Sequence, residues 1–251
     1  AAALALTLAV APNPSTYNAA VTLTADMNTV ATGSIDFYDG ATKIGSGTIS
    51  GGKATFSIST LTAGSHSLTA QFPGDANFVS ATSAPVVLTV NKATASINLV
   101  SDKNPSNYND AVKFTVTVPN DATGTVTFYD GAAVLGTPQT VNAGGASITI
   151  STLTAGTHSI TGVYSGDSNY QTATSSAVSQ VVNKATVSGS VTLVSDANPA
   201  DFGATVKFTA SVPSDATGTV DFFDGATKIG TGTIASGKAT MTISTLAVGS
   251  H

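Results

Sequence analysis

The sequence predicts an all-β fold, a tandem of seven-stranded β-sandwiches of which the third is incomplete in this chain. Three observations predict it. Glu and Arg, both good helix formers, are absent, every acid being Asp and every base Lys. Thr, Ser, Asn, Val and Gly take their place, which suits pleated strands and tight turns. Short alternating or β-branched runs follow one another, each bounded by turn residues. Finally, the chain repeats itself: "FYDG" at Phe37 returns at Phe128 and as "FFDG" at Phe222, a spacing of 91 to 94 residues. "STLTAG" at Ser59 returns at Ser151 and as "STLAVG" at Ser244.

A period of this length is too long for a solenoid turn or a propeller blade and suits a small independent domain. The expected units are 1–92, 93–184 and 185–251. "TVNKAT" at Thr89 and "VVNKAT" at Val181 mark where one unit passes into the next, so Asn91, Lys92, Asn183 and Lys184 are read as linker residues. The third unit reaches His251 before its last two strands. The expectation is a longer array that continues beyond it, the rival being completion by a strand from a neighbouring chain.

Within a unit, the elements can be justified in order. "AAALALTLAV" is too short to span a membrane and lacks a basic leader. Its Leu6-Thr7-Leu8 stands before Asn13-Pro14 as Ile97-Asn98-Leu99 stands before Asn104-Pro105, so it is read as a first strand. The second unit shows seven runs, 95–102, 111–119, 124–130, 132–141, 146–153, 158–166 and 177–183. In "AVKFTVTV", Val112, Phe114 and Val116 share one face while Lys113 faces outward with Thr115 and Thr117. "FYDG" reads as a hairpin with Asp-Gly at the two central positions of a type I′ turn, using Gly40, Gly131 and Gly225. "STLTAG" followed by His reads as a corner between strands, with His66, His158 and His251 bracing it by bonds to nearby backbone. "FPGDANF" (Phe72 to Phe78) and "YSGDSNY" (Tyr164 to Tyr170) read as one turn, shaped by Gly74 and Gly166 and anchored at its ends by aromatic rings.

Taken together, "LTAGTHSITGVYSGDSNY" (Leu153 to Tyr170), its echo "LTAGSHSLTAQFPGDANF" (Leu61 to Phe78), the "FYDG" hairpin and the closing "VNK" resemble the bacterial immunoglobulin-like (group 3) repeat domains found in tandem on secreted and cell-surface proteins. The resemblance covers the whole chain. It implies an immunoglobulin-like sandwich and an extracellular location, which a chain without cysteine also fits. It implies no single function, because such domains serve as stalks, spacers and adhesive tips alike.

Composition excludes several classes of function. The net charge is −5 and the lysines occur singly, so no basic stripe faces nucleic acid or anionic lipid. No enzyme is expected: the three histidines occupy one equivalent position in separate units, and a paired-carboxylate site is not evident among turn-forming Asp residues. An internal Lys–Asn crosslink is not expected either, since Lys113 and Lys207 face outward and Thr22 stands at their position in the first unit.

No cofactor is expected. Calcium is the one candidate metal, because the loop poles should bring Asp39 of the first unit towards Asp121 and Asp167 of the second, with Lys92 between, and Ca²⁺ takes six to eight oxygens. The competing reading makes these solvated turn residues with Lys92 as counter-charge.

The short linkers lead to an expected semi-rigid rod, a stalk, fibre or filament segment of an adhesin-like surface protein. Its partners would be neighbouring immunoglobulin-like repeats of the same or another copy. The alternative is an adhesive module that meets a host or cell-surface glycan or protein through a loop pole or aromatics such as Tyr129 and Tyr170.

Overall fold

The computed structural model describes residues 4–29, 31–186 and 191–251. It forms two compact units, Ala1–Asn183 and Lys184–His251. The first holds two sandwiches. In the first sandwich the strands are β1 (Leu6–Ala11), β2 (Ser15–Thr16), β3 (Val21–Met27), β4 (Ser34–Asp39), β5 (Thr42–Thr48), β6 (Lys53–Ile58), β7 (Gly64–Phe72), β8 (Ala81–Thr82) and β9 (Val86–Asn91). One sheet runs β1-β3-β6; the facing sheet runs β2-β9-β7-β4-β5, with β8 added against β7.

The second sandwich repeats this plan with β10 (Asn98–Ser101), β11 (Ser106–Asn107), β12 (Val112–Thr117), β13 (Thr125–Asp130), β14 (Ala133–Thr140), β15 (Gly145–Ile150), β16 (Gly156–Tyr164), β17 (Ala173–Thr174) and β18 (Val178–Asn183). Its sheets are β10-β12-β15 and β11-β18-β16-β13-β14. Each of the seven runs read in this repeat contains a strand, and the fold is all-β, with tandem sandwiches as expected.

Alternation builds the cores. Val21, Leu23, Ala25 and Met27 of β3 point inward while Thr22, Thr24 and Asp26 do not. Val112, Phe114 and Val116 do the same in β12, and Lys113 is exposed. The first core gathers Leu23, Ile35, Phe37, Leu68, Phe72 and Leu88; the second gathers Phe114, Val126, Phe128, Ile160 and Tyr164. Where the first repeat buries Leu88, the second buries Gln180. That amide is tolerated because it is bonded: its Nε2 donates to the Lys103 carbonyl and the Ser106 hydroxyl, and its Oε1 accepts from Ser101.

The "FYDG" turn differs from the expectation by one residue. Asp39 pairs with Thr42 as the last rung of the ladder, so Gly40 and Ala41 are the central residues. Only the glycine has positive φ, +55°. That is the φ pattern of type II′, not type I′. Gly131 (+56°) and Gly225 (+57°) follow the same rule. The register matters for function, because it leaves Asp39 and Asp130 on strands.

The second compact unit contains β19 (Thr192–Ser195), β20 (Val206–Ser211), β21 (Thr219–Asp224), β22 (Thr227–Thr233) and β23 (Lys238–Ile243). Its sheets are β19-β20-β23 and β21-β22, over a small core of Ala210, Phe222 and Met241.

Candidate functional site at the junction of the first two repeats

The place where unlike parts of the chain converge is the seam between the first and second sandwiches. On the first repeat, Tyr17 follows β2, and its backbone N–H is tied to the carbonyl of Asn91 at 2.9 Å. Its ring is partly buried and packs against both hydrophobic cores. From there the Tyr17 hydroxyl donates to Asp121 Oδ2 at 2.7 Å, while Tyr170 of the second repeat donates to Oδ1 of the same carboxylate at 2.8 Å. The two rings meet edge to face, centroids 5.4 Å apart, a favoured aromatic geometry. Asn18 Nδ2 donates to the Tyr170 hydroxyl at 3.3 Å.

The linker is held as well. Ala93 N–H donates to the carbonyl of Asn169, and Gln171 N–H donates to the carbonyl of Ala93, both at 2.9 Å. These bonds form a short parallel bridge between Ala93 and Tyr170. Lys92 Nζ donates to the Asp167 backbone carbonyl. Finally, Asn169 Oδ1 accepts the Ala63 N–H of the first repeat at 3.0 Å.

The "YSGDSNY" loop is what presents these groups. Gly166 has φ +72°, and a Cβ there would stand 2.9 Å from the Tyr170 carbonyl oxygen and the Thr172 nitrogen. Asp167 Oδ1 accepts the Asn169 and Tyr170 N–H groups at 2.8 Å, and Oδ2 accepts Thr123 N–H at 2.7 Å. Burial pushes the Asp167 carboxyl up, but these amides more than offset it and bring it to about 2. The bonds from Tyr17 and Tyr170 hold Asp121 below the usual carboxylate range. Conversely, burial and the Asp121 carboxylate push Tyr170 up to about 12. Asp75 orders the twin loop of the first repeat in the same way, through Thr32, Asn77 and Phe78.

The three carboxylates expected to meet at this seam do not. Asp39 faces His66, Asp121 faces the two tyrosines and Asp167 is taken up by its own loop and by Thr123; among the described residues no three acidic or histidine side chains are grouped so as to hold a metal ion. Lys92 meets a carbonyl rather than acting as counter-charge to a carboxylate. Tyr170, considered as a glycan contact, is 5% exposed and committed to the seam.

The histidines stand at the corners. His66 Nε2 lies 2.8 Å from the Thr62 carbonyl oxygen and Nδ1 lies 2.6 Å from Asp39 Oδ2, both within hydrogen-bond distance. His158 makes the same pair of bonds with Thr154 and Asp130, and His251 with Ala247 and Asp224.

Sequence reasoning missed Tyr17, Asn18, Asn169 and the aspartate partners of the histidines. A signal for Tyr17 was present: "NPSTYN" at Asn13 recurs as "NPSNYN" at Asn104, an aromatic kept in register outside the longer strands.

The profile of the bacterial Ig-like domain (group 3) matches residues 7–91, 99–183 and 187–251. No curated protein matches the sequence. Among solved structures, the chain is similar to the fibronectin(III)-like modules of CbhA from Clostridium thermocellum, at 17% identity and a TM-score of 0.31, over 71% of this chain and 94% of that one. It is similar to three N-terminal domains of the highly immunogenic outer capsid protein of bacteriophage RB49, at 15% identity and 0.33, over 98% and 88%. A putative membrane anchored protein from Corynebacterium diphtheriae aligns at 13% identity and 0.33, over 86% and 64%.

Proposed function

This chain belongs to the bacterial Ig-like domain (group 3) family, and from that premise we propose that it is a non-enzymatic structural array, a stalk or filament segment of a bacterial surface protein. Its task is to hold neighbouring repeats in a set relation outside the cell. The observation that carries the reading is the seam between the first two repeats, where two tyrosines from different domains share the carboxylate of Asp121 and the linker is bonded into the second repeat. A tether that only kept domains together would need none of these bonds.

The test uses the absence of cysteine. Nitroxide labels on Thr55→Cys and Thr149→Cys, one exposed strand position in each repeat, report the distance between the repeats by electron–electron double resonance. A single narrow distribution is expected. A broad one would sink the proposal.

A second reading is adhesion to a glycan or protein partner. Tyr129 supports it, half-exposed on the outer face of its sheet beside Val134 and Thr161, a neutral aromatic surface of the kind a sugar ring stacks on. Glycan binding by the chain that disappears in Tyr129→Ala would favour this role over the first.

A further inference from the structure

One peptide group at the seam is gripped from both sides. The carbonyl of Thr62 and the N–H of Ala63 belong to the same peptide unit. His66 Nε2 holds its oxygen at 2.8 Å within the first repeat, and Asn169 Oδ1 holds its N–H at 3.0 Å from the second. The other face of the imidazole meets Asp39 Oδ2 at 2.6 Å, and Asp39 Oδ1 accepts the Ser67 N–H at 3.2 Å. A carboxylate and a backbone carbonyl are both acceptors, so the ring satisfies both only with a proton on each nitrogen. We propose that protonation of His66 couples the first repeat to the second, by fixing the Thr62–Ala63 peptide in the orientation that Asn169 recognises.

A neutral imidazole has one N–H, which the carboxylate retains as the stronger acceptor. Nε2 then turns a lone pair towards the Thr62 oxygen, the two repel, and the peptide unit rotates away from Asn169. The groups facing the ring are Asp39 from β4, the Thr62 carbonyl from the preceding segment and, across the ladder on β9, the apolar Leu88. Burial lowers the affinity of His66 for its proton, but the Asp39 bond, the Thr62 carbonyl and the Asp39 charge outweigh it, so its midpoint lies above the usual value. The remaining seam groups titrate elsewhere: Asp121 and Asp167 are held low, and Tyr17 and Tyr170 are held high. The coupling is therefore tight at mildly acidic pH and relaxes as pH rises through the His66 midpoint.

Linkage makes the effect reciprocal: if the protonated ring favours the Asn169 contact, the contact favours the protonated ring. This inference rests on the fixed-junction reading above, and the experiment separates the two. NMR of the full chain follows the imidazole Cε1–H signals and the Ala63 amide between about pH 5 and about pH 9, the window around an ordinary histidine. The Ala63 amide shift should track His66, and its exchange, corrected for base catalysis, should accelerate about fivefold across the transition, at the low end of usual couplings.

Asn169→Ala should move the His66 midpoint to lower pH while leaving that of His158, which lies in the second repeat and reports its integrity. An unmoved His66 midpoint, or an Ala63 amide indifferent to pH, overturns the inference. A narrow label distance at both ends of the range alongside those results leaves the fixed junction standing. A distance already broad at about pH 5 would fell both.

Discussion

At the scale of residues, the histidine at each corner ties an aspartate on a neighbouring strand to a backbone carbonyl of the preceding segment, so its loss should cost stability. His158 is 12% exposed and bonded at both nitrogens. His158→Ala should lower stability by about 1–2 kcal/mol, the range for a partly buried bonded group; thermal unfolding of the variant beside the unaltered chain checks it. The same pairs give stability a pH dependence. All three histidines have midpoints above the usual value: burial opposes the shift at His66 and His158 but is outweighed, while at His251 the Ala247 carbonyl leads and Asp224 adds to it. Their contribution is complete below the unfolded midpoint near 6.5 and is lost as pH rises through the folded one. Asp167, held at about 2, contributes above an unfolded value near 3.9 and is lost as pH falls towards 2. Melting temperature should therefore peak between roughly pH 4.5 and 6.5 and decline on either side; a scan of thermal unfolding against pH checks the profile. The repeat made the histidines legible. Their partners were hidden because assigning Asp39 to the centre of a turn, one residue out of register, points its carboxylate at solvent instead of at the corner.

Elements show how much alternation can carry and where it stops. The longer strands were readable because a buried face and an exposed face leave a period of two. The segments β2, β8, β11 and β17 are two residues each, too short for any period to register. Nor does a period reveal what closes a sandwich edge. In the first repeat Phe56 reaches from β6 under β5, where a Cβ on Gly45 would lie 2.2 Å from its ring. There Phe56 stacks on Phe37 with centroids 5.8 Å apart. Gly136 with Ile148, and Gly230 with Met241, keep the same arrangement. Gly45→Ala should push the ring off this site and destabilise the repeat by about 1–3 kcal/mol, as overpacking does; denaturant unfolding measures it.

For the molecule as a whole, the seam was the least legible part, because its bonds join residues as far apart as Tyr17 and Asp121, 104 positions along the chain. A repeat identifies what is common to the units, whereas a seam is made of what differs between the two poles that meet. Asp121→Ala removes the acceptor that the Tyr17 and Tyr170 hydroxyl groups share across the seam. It should broaden the label-distance distribution between the first two repeats while each sandwich keeps its own fold, as far-ultraviolet circular dichroism would register. The pairing of β2 with β9 carries a different consequence. These strands lie parallel, Ser15 beside Val90 and Thr16 beside Asn91, and Asn13 adds two side-chain bonds, to the Val87 carbonyl and the Thr89 N–H. Tension applied to the two ends of a repeat would draw parallel neighbours past each other, loading all of these bonds in shear at once. A fold closed in this way resists pulling more than its modest core would suggest, a useful property in any part that must bear load.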